Sequence, residues 1–134
     1  MEPGTRPARS QAEPGAYERA PLNEQMRDAH AQDLVLQQLE AAVQARSPRF
    51  PPHLQVRISI SECELDENGK LLYRGRRWVP NSEPLRTRII EETHCSPMVG
   101  HPGQNGLYRV LSRVWFWPGL ASNMRHFIRN YTIY

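Results

Sequence analysis

Residues 71–134 read LLYRGRRWVPNSEPLRTRIIEETHCSPMVGHPGQNGLYRVLSRVWFWPGLASNMRHFIRNYTIY, and this stretch decides the fold. It opens as a strand, Leu71-Leu72-Tyr73. Gly75 then allows a tight turn, a return strand covers 76–79, and Pro80 ends it. Three short helices are predicted next. Asn81 or Ser82 can cap the first, with Glu83 at its positive end. Its buried face is Leu85, Ile89 and Ile90, while Arg86, Arg88 and Glu91 point outward. A loop over 94–102 contains Pro97, Gly100 and Pro102. The second helix is predicted over 103–114, because Leu107, Val110, Leu111 and Val114 recur at helical spacing. Phe116-Trp117-Pro118-Gly119 is an aromatic corner. The third helix runs from 120 to 130, with Leu120, Met124, Phe127 and Ile128 on one face.

Upstream, Val56, Ile58 and Ile60 alternate with Arg57, Ser59 and Ser61, the period of a strand. Asn68-Gly69 predicts a type I′ hairpin turn. The expected architecture is therefore α+β: a two- or three-stranded antiparallel meander followed by a three-helix bundle, over residues 54–134. Prolines 48, 51 and 52 make 47–53 a stiff linker. Residues 23–46 lack Gly and Pro, and Leu36, Leu39 and Val43 form an apolar stripe with Met26, Val35 and Ala42 nearby. They predict one amphipathic helix, which can dock on the domain, pair with a partner or act as a spacer. Residues 1–22 carry four prolines and few large apolar groups, and are expected to be disordered.

The net charge of +3 conceals an asymmetry. Residues 1–69 hold seven Lys or Arg against eleven Asp or Glu, and residues 70–134 hold ten against three. The net charges are −4 and +7, so the second half suits a polyanionic partner, nucleic acid above all. The alternative is a solvated basic surface. The two cysteines, Cys63 and Cys95, are too few for a disulfide framework. No apolar run reaches transmembrane length and the amino terminus has no secretory apolar region. These features predict an intracellular chain with no membrane partner.

The order of these motifs over 54–134 resembles the histidine-histidine-cysteine-cysteine zinc-binding domain of gypsy-class long-terminal-repeat retrotransposon integrases. The residues that carry the likeness are LLYRGRRWVP, His94 and His101 in HCSPMVGHPG, the FWPGL corner and the last helix. The resemblance implies that His94 and His101 are zinc ligands. It also implies two cysteine ligands, whose positions here hold Tyr131 and Tyr134. A phenol is a hard ligand with a pKa near ~10, so the zinc of the family is expected to be absent or weak. Cys95 or His126 could substitute only in a rearranged site. The family's catalytic core follows the second cysteine position, so the chain is expected to be truncated before it and to catalyse nothing. The implied role is DNA integration through nucleic-acid contacts and integrase multimerisation, in the nucleus. A degenerate remnant of a mobile element, and a module that associates with intact integrase or with itself, are the alternatives.

Single residues follow the same division. Arg109 and Arg113 are four apart on the second predicted helix, and Arg125 and Arg129 on the third. Each pair makes a basic stripe suited to phosphate contacts or to solvent. The tryptophans read as core, His30 and His53 as surface, and Cys63 as a small strand residue. No nucleophile motif, phosphate loop or small-molecule substrate site is legible.

Overall fold

The computed structural model describes residues 20–94 and 104–131. In chain order the elements are α1 (Leu22–Gln32), α2 (Leu34–Gln44), β1 (Cys63–Leu65), β2 (Leu71–Tyr73), β3 (Arg76–Trp78), α3 (Glu83–His94), α4 (Gln104–Leu111), β4 (Trp115–Phe116) and α5 (Leu120–Tyr131). The architecture is α+β, as expected. No described helix is long and apolar enough to cross a membrane.

The β2–β3 hairpin turns on Arg74 and Gly75, both with positive φ (52° and 80°). Tyr73 faces Arg76 across it, so this is the two-residue turn that follows the twist of the strands. A left-handed arginine is costly. Its backbone N–H is satisfied by Glu62 O at 2.9 Å, and its Nε by the Glu62 carboxylate at 2.5 Å. The turn predicted at Asn68-Gly69 takes another form, because only Gly69 has positive φ. Asp66 organises a wider loop there: its Oδ1 accepts from Asn68 N at 2.8 Å and Lys70 N at 2.9 Å. A carboxylate that satisfies two backbone donors outweighs the local Asn-Gly preference.

Two strand expectations also change. The alternating segment over 56–60 forms no strand; Ile60–Glu62 is a 3-10 turn. Val56, Ile58 and Ile60 instead pack on a core made elsewhere, since β1 pairs with β2 only through Cys63–Leu65. The meander acquires a fourth strand. β4 lies parallel to β3, with Arg77 facing Trp115 and Trp78 facing Phe116, giving the order β1-β2-β3-β4. The second predicted helix therefore ends at Leu111 rather than 114, and Val114 is exposed. Arg77 N donates to Val114 O at 2.7 Å and Val79 N to Phe116 O at 2.9 Å, which ties the aromatic corner to the sheet.

The bundle core is Val79, Leu85, Ile89, Ile90, Leu107, Leu111, Trp117, Leu120 and Met124, and it matches the predicted helix faces. Ser82 caps α3, its Oγ accepting from Leu85 N at 3.3 Å. A second core joins Leu36, Leu39 and Ala42 of α2 to Phe50, Leu54, Leu71, Tyr73 and Trp78.

The single helix predicted over 23–46 is two helices broken at Asp33, whose φ of −98° and ψ of 86° are not helical. Asp33 Oδ1 accepts from Leu36 N at 3.0 Å, capping α2, and Oδ2 accepts from Asn81 N at 2.8 Å. The break lets α1 place Met26 in the bundle core while α2 reaches the other core. One straight helix could not serve both. Of the three roles open to this segment, docking is the one observed. Part of 47–53 is packed too: Phe50 is buried and Pro52–Leu54 forms a 3-10 turn. Of residues 1–22, expected to be disordered, 1–19 lie outside the described residues and Leu22 begins α1.

Candidate metal position and nucleic-acid interface

α3 ends on His94, which is 5% exposed. Its ring stands edge-on to Phe127 of α5, with centroids 5.6 Å apart. Phe127 is one turn before Tyr131, the last residue of α5. The fold thus brings one expected ligand to the helix that carries a position where a cysteine was expected. Cys95, His101 and Tyr134, and the Tyr131 side chain, lie outside the described residues. Among the described residues no group of three His, Cys, Asp or Glu side chains could hold a metal ion. His126, the other substitute considered, is exposed with Nε2 3.2 Å from Asn130 Nδ2, whereas His94 is interior. Two histidines with two phenols do not make a donor set that suits tetrahedral zinc.

Residues 81–134 match the family model of the integrase zinc binding domain. Over that segment the chain is similar to the integrase zinc-binding domain. Neither a curated protein nor a solved structure matches the chain. The integrase-type segment begins at Asn81, the residue that Asp33 holds through its backbone. Its strand β4 is paired to β3, which lies outside the matched residues. The hairpin and the α1–α2 pair are therefore joined to the integrase-type segment through hydrogen bonds and shared cores.

The four arginines singled out in the sequence are all exposed. Arg109 lies on α4 and Arg125 and Arg129 on α5, but Arg113 falls in the turn after α4. Arg86 and Arg88, expected to point outward, are structural. Arg86 donates from Nε to Pro80 O and from Nη2 to Val79 O, both at 3.0 Å. Its guanidinium lies 5.4 Å from the Trp117 ring centroid, and burial pushes its pKa down to about 10 while Asp33 opposes the shift. Arg88 donates to Ala20 O at 2.7 Å and Gln25 Oε1 at 2.8 Å, holding α1 against α3. Arg76 lies over the adjoining Tyr73 and Phe116 rings, 5.4 and 5.1 Å from their centroids, and donates to Ser112 O at 3.3 Å. None of these roles is visible in helical periodicity, because each of these partners lies outside the arginine's own helix or strand.

Trp117 is fully buried and Trp78 nearly so, as the core reading of the tryptophans expects. Cys63 is half-buried in β1, its Sγ 3.7 Å from Ser59 O. Burial, with Glu62 adding to it, pushes the thiol up to about 11 from an ordinary 9.0. A raised thiol pKa means the folded chain holds this proton more tightly than the unfolded chain. The associated stability is complete below pH 9 and is lost as pH rises toward about 11. Native alkylation of Cys63, followed by peptide mass mapping, is accordingly expected to accelerate with an apparent pKa near 11. Acceleration around 9 in the folded chain would contradict the burial.

Proposed function

We propose that the chain is a non-catalytic nucleic-acid-binding and assembly module of integrase type. The family match over residues 81–134 carries this reading. The net charge of +7 over residues 70–134 and the exposed Arg109, Arg113, Arg125 and Arg129 support a DNA partner. Self-association or pairing with an intact integrase belongs to the same reading, as does a nuclear location. The proposed role is binding rather than strand transfer, and the match to a zinc-binding domain supports it.

Fluorescence anisotropy of the full chain with a labelled DNA duplex, titrated in salt, tests the reading. The expected result is binding that weakens steeply with salt. A chain that ignores duplex at low salt would favour the second reading, a degenerate element remnant. Tyr131 and Tyr134, standing where the resemblance implies cysteines, favour that alternative.

A further inference from the structure

Three cations scattered in the sequence are gathered in one cleft. Arg27 comes from α1, Lys70 from the end of the β1–β2 loop and Arg77 from β3, and they line a cleft with His30 and Glu40. Among the described residues no carboxylate forms an ion pair with Arg27, Lys70 or Arg77. Glu40, the acidic group in the cleft, is committed on both oxygens. Oε1 lies 2.7 Å from His30 Nε2, and Oε2 accepts from Leu71 N at 3.1 Å. Like charges held together repel, and Glu40, the carboxylate lining the cleft, is engaged by His30 and the Leu71 backbone rather than paired with any of the three. Arg77 N is bonded to Val114 O, next in the chain to the exposed Arg113, and Arg109 is exposed on the last turn of α4.

The cleft holds only about 20 Å³, too little to enclose a nucleotide. Its apolar lining, Met26, Leu36 and Trp78, is buried, so it offers no exposed apolar anchor of the kind a protein interface uses. A shallow cationic surface without such an anchor suits a phosphate backbone lying across it.

We propose that Arg27, Lys70 and Arg77, continued by Arg113 and Arg109, form the track for the phosphate backbone of duplex DNA. This rests on the nucleic-acid reading above and assigns its surface. The sheet and α1, outside the integrase-type segment, then carry part of the contact.

The test uses the full chain, a short labelled duplex and a salt titration. Changing Arg27, Lys70 and Arg77 together to Gln is expected to reduce the slope of log affinity against log salt by about 2.7, at ~0.9 per phosphate contact. Arg125→Gln with Arg129→Gln is expected to reduce the slope by less, at most about 1.8. Circular dichroism checks that each variant is folded. Should the triple variant not fold, Arg27→Gln alone, on the exposed side of α1, is expected to remove about 0.9. A cleft variant with the wild-type slope, beside an α5 variant with a reduced one, overturns the track while leaving DNA binding intact. Absence of duplex binding by the wild type overturns both.

Discussion

Changing Tyr131 and Tyr134 together to Cys is expected to give a chain that binds one zinc ion and gains stability from it. The family match covers both positions, and His94 already sits in the interior beside α5. The missing component is ligand chemistry. Zinc favours thiolates, which it deprotonates on binding, whereas a phenol with a pKa near ~10 remains protonated at neutral pH. Structural zinc in small domains has an apparent binding free energy of about 10–16 kcal/mol. Free zinc a thousandfold above Kd would stabilise the double variant by about 4 kcal/mol. Metal content of the purified protein, with thermal melts before and after chelation, checks this. The wild-type chain is expected to carry no stoichiometric zinc and to melt the same way with chelator. One tightly held zinc in the wild type, or none in the double variant, would refute it.

The second large effect belongs to Trp117. Its side chain is fully buried among α3, α4 and α5, and its indole N–H donates to Asn123 Oδ1 at 2.8 Å. The Arg86 guanidinium lies over the ring, anchored to Val79 O and Pro80 O. Trp117→Ala leaves a cavity and a partly buried cation without its ring partner. The cavity alone is expected to cost about 3–5 kcal/mol. That is most of the stability of a domain near the lower end of ~5–15 kcal/mol. Trp117→Phe keeps a ring and removes the donor to the exposed Asn123, at an expected cost of about 0.5–1.5 kcal/mol for the hydrogen bond. Denaturant midpoints of the full chain give both values. An Ala variant within about 1 kcal/mol of wild type would mean that this corner is not part of the cooperative core.

These two results would act on different parts of the molecule. The cysteine pair tests a metal position at the end of α5. Trp117 tests the packing that holds α5 to the rest. Independence is expected because Phe127, the ring against His94, is only partly buried at the margin of the core that Trp117 occupies. A stabilised double variant would therefore be expected to tolerate Trp117→Ala better through added stability, without a specific coupling.

What could be read in the residues was local. Leu85, Ile89 and Ile90, Leu107 and Leu111, and Leu120 and Met124 repeat at helical spacing, and they are the buried faces of α3, α4 and α5. The likeness to the integrase zinc-binding domain was legible from the His94–His101 spacing and the FWPG corner, and it holds over residues 81–134. The same likeness implies cysteines where Tyr131 and Tyr134 stand, an expectation that rests on side-chain chemistry and not on geometry.

What required the tertiary structure was whatever depends on residues far apart. The break at Asp33 has its reason in Asn81, 48 positions away, so a helical stripe over 23–46 could not reveal it. The parallel strand β4 is too short to announce itself; its partner β3 supplies the ladder. The alternation of Val56, Ile58 and Ile60 was satisfied by burial without a ladder, since period two reports a face and not a hydrogen-bond partner. Arg86 and Arg88 read as solvent-facing until the carbonyls of Val79, Pro80 and Ala20 were seen to receive them. The cleft of Arg27, Lys70 and Arg77 likewise exists only after α1 packs beside the sheet. Helix faces and ligand identity come from short-range periodicity and side-chain chemistry, which the chain carries along its length. Strand partners, helix breaks and the grouping of charges come from packing, which only the folded chain can decide.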